Sequence, residues 1–158
     1  MSNHGAVADI ETTGAERLLA AARERIERVE PAAAWKATTA GEALIVDLRS
    51  SDERRRHGIV PGSLHVPRSV LEWRADPTGR WRNPNLADGE RLILLCAEGY
   101  SSSLAAASLL DLGHARGADL VGGFRGWLAA GLPVVAAPEQ NGLLPGMDAP
   151  APWSDIID

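Results

Sequence analysis

The chain of 158 residues has a single cysteine, Cys96, so it can close no internal disulfide. A reducing compartment, the cytoplasm, is expected. No apolar run approaches the roughly 20 residues that a membrane-crossing helix needs. The first residues, Met1 to Glu11, lack the basic-then-apolar layout of a signal peptide. Positive charge is also short: the formal net charge is −5. That argues against nucleic acid or an anionic membrane as partner, since both recruit basic surfaces. There is no internal repeat and no Cys/His cluster with zinc spacing, so no metal and no organic cofactor is implied.

What is present centres on the stretch from Arg91 to Ala107. An apolar run of strand length, Leu92-Ile93-Leu94-Leu95, leads into Cys96. Glycine and a serine cluster follow, then an alanine- and leucine-rich helical pattern. Cys96 therefore falls at the carboxyl end of a buried strand and just ahead of a helix N-terminus. Ligands of open α/β sheets bind at that edge. Free N–H groups at a helix start favour an anion, and so a thiolate over a thiol. A lone cysteine is otherwise a small core hydrophobe. Here Gly99 permits a sharp turn, Ser101, Ser102 and Ser103 are candidate N-caps, and a curled loop can aim successive N–H groups at one point. Cys96 reads as a nucleophile.

The remaining chain alternates strands and helices, which predicts a parallel sheet with right-handed crossovers and helices on both faces. An amphipathic helix is expected from about Gly14 to Val29, capped by Thr12 or Thr13. Leu18, Leu19, Ala22, Ile26 and Val29 share one face. Arg17, Arg23, Glu24, Glu27 and Arg28 fill the other, as a solvated face or a homodimer contact. Ala32 to Lys36 reads as a short helix, Ala43 to Leu48 as a buried strand, Ser50 or Ser51 to His57 as a capped helix, and Leu64 to Val66 as a very short strand. Ser69 to Trp73 reads as a helical turn and Ala118 to Val121 as a third long strand. Gly122-Gly123 opens a last short helix. Three segments result: residues 1–30 as an N-terminal extension, 31–133 as the main domain, and 134–158 as an extended Pro/Gly-rich tail with little part in the core.

Parallel strands bring further residues to the edge that holds Cys96. Asp47 and Arg49 end the neighbouring strand: Arg49 can hold an anion while Asp47 braces the turn, or the two form a structural ion pair. Arg125, after the glycine pair, faces the site or solvent. His57 reads as a turn brace rather than a base. Trp73, Trp81 and Trp127 read as core or lid packing. A phosphatase of the Cys-x5-Arg kind needs an arginine six residues after the cysteine to clamp phosphoryl oxygens, and that position is Ser102.

Four segments in order, Asp47-Leu48-Arg49, His57 to Pro67, Cys96 to Ser102 and Gly122 to Trp127, together resemble the signatures of single-domain rhodaneses, the thiosulfate sulfurtransferase-like proteins. The resemblance spans about Pro31 to Pro133. It implies a small α/β/α sandwich around a parallel sheet, and a sulfurtransferase that moves a sulfane sulfur through a persulfide on Cys96. Loop residues Ala97, Glu98, Gly99, Tyr100, Ser101 and Ser102 would cradle the terminal sulfur through their N–H groups, with Arg49 and Arg125 as substrate-binding residues and Asp47 and His57 in support. The implied partners are a small sulfur-donor anion or persulfide, and a thiol or protein acceptor. The alternative is a rhodanese-like module that binds or regulates without using Cys96. The loop carries Glu98 where thiosulfate users often carry basic residues, so thiosulfate, a dianion, is expected to be a poor donor.

Overall fold

The computed structural model describes residues 12–86, 90–114 and 116–138. In chain order its elements are α1 (Gly14–Arg25), β1 (Glu27–Val29), α2 (Pro31–Thr39), β2 (Leu44–Asp47), α3 (Ser51–His57) and β3 (Leu64–His65). A 3₁₀ turn at Arg68–Val70 runs into α4 (Leu71–Ala75). β4 (Leu92–Leu95), α5 (Ser101–Asp111), β5 (Gly117–Leu120) and α6 (Gly123–Ala129) follow. The strands form one five-stranded sheet in the order β1-β5-β4-β2-β3, every pairing parallel. The carboxyl ends of all five strands therefore share one edge.

The core lies on both faces of the sheet because side chains alternate along a strand. On one face Val46, Leu92 and Leu94 pack with Leu71 and Ala75 of α4 and Ala105, Ala106 and Leu109 of α5. On the other, Ile45, Ile93, Leu95, Ala118 and Leu120 pack with Ala34 of α2 and Phe124 and Trp127 of α6. A sheet covered on both sides explains why β4 reads Leu-Ile-Leu-Leu without alternation. Trp127 is fully buried, meets Trp35 edge to face at 5.8 Å, and donates its Nε1–H to the Pro133 carbonyl at 2.8 Å. That anchors α6. Trp73, by contrast, is exposed.

Two helices begin as their sequences predict. Thr13 and Glu16 form a capping box on α1, as do Ser50 and Glu53 on α3; losing such a cap costs about 1 kcal/mol.

One expected element divides in two. The helix predicted to reach Val29 ends at Arg25, and Glu27–Val29 is an edge strand instead. Ile26 and Val29 fit a helical stripe, but they are β-branched and suit a strand equally well. In the strand, Val29 is buried against the face holding Ala118 and Leu120, and backbone donors and acceptors pair with β5. Residues within the first 30 thus complete the sheet. At the other end, Val135 bridges Ile59 through two backbone hydrogen bonds, and Val134 packs against the second core face. The rest of the expected tail, from residue 139, lies outside the described residues, as do residues 1–11 of the expected extension.

Candidate active site

Cys96 follows β4 directly, at the carboxyl edge of the sheet, and is 7% exposed. The loop after it folds back over the sulfur. The Gly99 N–H points at Cys96 Sγ at 3.1 Å and the Ser102 N–H at 3.4 Å. Ser102 Oγ lies 3.3 Å away. The serines do not serve as N-caps: the cap position of α5 is Tyr100, which makes no side-chain cap bond, and Ser101 to Ser103 form the first turn. The sulfur takes over that role, because a helix start must find an acceptor for its free N–H groups and Sγ is the one supplied. Burial pushes the Cys96 thiol up. Hydrogen bonds within the loop outweigh it, and the thiol lies below its ordinary value.

The glycine pair ahead of α6 holds the other side of the loop. Phe124 N–H donates to the Cys96 carbonyl at 2.8 Å and Arg125 N–H to the Ala97 carbonyl at 3.0 Å. So close an approach excludes a side chain at Gly123, whose φ is +61°: a Cβ there would sit 2.4 Å from Cys96 O and 2.7 Å from Gly99 N. The loop carbonyls are thereby tied to α6, while loop N–H groups face the sulfur.

Beside the loop, between α3 and α6, a cavity of about 260 Å³ is lined by Arg49, Glu53, His57, Ala97, Glu98, Phe124, Arg125 and Leu128. It gathers five residues singled out from sequence: Arg49, His57, Ala97, Glu98 and Arg125. Arg49 is a wall of this space rather than a free cation. Its Nε and Nη2 bind both carboxylate oxygens of Asp47 at 3.0 and 2.8 Å, Nη2 also reaches Gly58 O at 2.9 Å, and the guanidinium stacks 3.8 Å from the Phe124 ring centroid. Arg54 adds a second ion pair to Asp47 at 3.2 Å. Asp47 and Arg49 are both buried, so the pair knits the carboxyl end of β2 to α3 and α6. Arg125 is exposed and pairs with Glu98 at 3.0 Å. His57 is exposed on the cavity wall. The histidine bonded to the frame is His65, whose Nε2 meets Arg49 O at 2.8 Å; His114 bonds Ala75 O. Tyr100 is exposed, with the Arg23 guanidinium 5.8 Å from its ring centroid.

Behind the loop lie residues that the sequence reading missed. Arg23 and Arg28, expected to be solvated or at a dimer contact, instead turn inward. Arg23 donates to Gly99 O at 2.8 Å and to Ser103 Oγ at 3.1 Å, and Arg28 reaches Gly99 O at 3.4 Å. Arg28 also pairs with Asp119 at 3.0 Å, its partner in the β1–β5 register. The available signal was Asp119 itself: a carboxylate inside an apolar strand requires a buried partner.

Comparisons with known proteins agree with this fold. Residues 30–130 match the family model described as "Rhodanese-like domain". A sulfurtransferase of Allochromatium vinosum is 30% identical over 95 residues, covering 60% of this chain and 80% of that protein. A thiosulfate sulfurtransferase of Actinobacillus succinogenes is 29% identical over 109 residues, covering 69% and 90%. A solved structure from Rhodopseudomonas palustris, described as a protein of unknown function and possible tyrosine phosphatase, is 33% identical with a TM-score of 0.73, covering 78% of this chain and 96% of its own.

Proposed function

This chain belongs to the rhodanese-like domain family, and from that premise we propose that it is a sulfurtransferase carrying sulfur as a persulfide on Cys96. The observation that carries the reading is the pair of main-chain donors, Gly99 N–H and Ser102 N–H, aimed at a buried Sγ at a strand end. They favour a thiolate, and thiolate is the nucleophile of thiol chemistry.

In the first half-reaction the Cys96 thiolate attacks the sulfane sulfur of a donor. A bond forms between Sγ and that sulfur, and the donor's bond to it breaks with its electron pair leaving on the donor remnant. In the second, an acceptor thiolate attacks the outer sulfur, the Sγ–S bond breaks, and its pair returns to Sγ. The cavity between α3 and α6 offers room for the donor or acceptor beside the loop, with Glu98 and Arg125 at its wall. Asp47 and Arg49 support the frame. A phosphoryl-transfer role, as suggested for the Rhodopseudomonas palustris protein, is disfavoured here: Ser102 stands where the clamping arginine is needed, and its Oγ is engaged with Asp119 at 3.1 Å.

The test is intact-mass analysis of the purified, reduced protein after incubation with thiosulfate and with small organic persulfides. One added sulfur, lost on adding a thiol acceptor and absent in Cys96→Ser, supports the reading. A protein that gains no sulfur from any of these donors is instead a binding or regulatory module.

A further inference from the structure

Asp119 is fully buried. Its Oδ2 accepts from Ser103 Oγ at 2.7 Å and from Ser102 Oγ at 3.1 Å, and its Oδ1 accepts from Arg28 Nε at 3.0 Å. Ser102 Oγ is at the same time 3.3 Å from Cys96 Sγ. A hydroxyl has one proton to give. With a neutral thiol the chain is fully ordered: S–H donates to Ser102 Oγ, and Ser102 O–H donates to Asp119. With a thiolate it is not, because carboxylate and thiolate compete for the same proton. Oxygen is the harder acceptor, and the carboxylate is already fixed by Arg28 and Ser103.

The charged groups facing this chain are few. Among the described residues, β1 contributes Arg28, α1 contributes Arg23 through Gly99 O and Ser103 Oγ, β4 leads into Cys96, and the first turn of α5 contributes no charge, only Ser101, Ser102 and Ser103. We propose that Asp119 is a positioning residue that restrains the acidity of Cys96 by keeping the Ser102 proton turned away from sulfur. Ionisation of Cys96 is then supported by the main-chain donors and Ser101, while Ser102 offers sulfur its lone pairs. Release of the Ser102 proton makes the cysteine more acidic.

The inference rests on Cys96 being the reacting group, but its test reads the thiolate directly. The rate of iodoacetamide alkylation of the full-length reduced protein is measured against pH. Ser102→Ala is expected to leave the inflection within about 0.3 pH unit of the parent, or to lower it; a donor to the thiolate would, on removal, raise it by about one unit. Asp119→Asn is expected to lower the inflection by about one unit or more, and Ser102→Ala combined with it is expected to abolish most of that fall. A raised inflection in Ser102→Ala overturns the proposal. So does a fall in Asp119→Asn of equal size with and without Ser102, which would mean that charge acts directly through space. Should Asp119→Asn not fold, the Ser102→Ala arm decides alone, since alanine fits the serine's space. A protein that takes up no sulfur yet shows these shifts refutes the sulfurtransferase reading and leaves this one standing.

Discussion

Arg125 Nη1 lies 3.0 Å from Glu98 Oε1, so the acidic residue of the cysteine loop is paired across the cavity wall by the first turn of α6. The side chains are 79% and 53% exposed, respectively, which places the pair among weak, salt-sensitive surface ion pairs. Its effect on an approaching dianion is therefore a balance, and each partner can be removed in turn. Glu98→Gln is expected to lower the KM for thiosulfate by about two- to fivefold at low salt, and Arg125→Gln to raise it by a similar factor. Both effects should shrink as ionic strength rises. Equal KM values for parent and both variants at low salt would show that the pair takes no part in donor choice.

His65 gives the fold a pH dependence of definite sign. Burial pushes its pKa below 6.5, the Arg49 carbonyl opposes this, and the Arg54 charge adds to the lowering. Below about pH 6.5 the unfolded chain binds this proton before the folded one, so stability rises with pH in that window and is fully present above it. The melting temperature is expected to fall between about pH 6.5 and 5, and less steeply in His65→Gln, whose amide can still donate to Arg49 O. Parallel curves for the two proteins would refute the assignment.

Gly123 and Gly41 make a controlled pair. Both have positive φ, but a Cβ at Gly41 meets nothing within 4 Å, whereas one at Gly123 collides with the backbone of Cys96 and Gly99. Gly41→Ala is expected to cost about 1–2 kcal/mol, the left-handed backbone penalty alone. Gly123→Ala is expected to cost at least about 3 kcal/mol and to slow alkylation of Cys96 as the loop is displaced. Denaturant melts and alkylation rates check both; equal destabilisation would mean that the loop and α6 separate without cost.

The chain end offers two cuts a few residues apart. Truncation after Ala136 keeps the Ile59–Val135 bridge and should leave the melting temperature nearly unchanged. Truncation after Leu132 removes that bridge together with the Pro133 carbonyl that accepts from Trp127. Leaving a buried indole N–H without its acceptor costs about 1–3 kcal/mol. A large fall already on cutting after Ala136 would locate a docking segment beyond that residue.

How far the sequence could be read follows from which forces are local. The strand ending at Cys96, the turn at Gly99 and the helix after it are contiguous, and length and glycine placement mark them. Capping boxes at Thr13 and Ser50 are similarly contiguous. β1 was hidden because three residues carry too little pattern to separate a strand from the last turn of a helix, and its pairing with β5 spans some 90 positions. The same distance concealed Arg28 opposite Asp119. Asp47 and Arg49 were placed at the correct edge, with their ion pair as one of two readings, but the stacking of Arg49 on Phe124 depends on how α6 folds back.

The attachment of the cysteine loop has an evolutionary corollary. Main chain holds main chain: the Phe124 and Arg125 amides grip the Cys96 and Ala97 carbonyls, and the Gly99 and Ser102 amides meet the sulfur. None of these bonds depends on what Ala97, Glu98 or Tyr100 carries beyond Cα. Those three positions can drift without dismantling the loop around Cys96, so the side chains offered at its rim are free to change while the sulfur stays held.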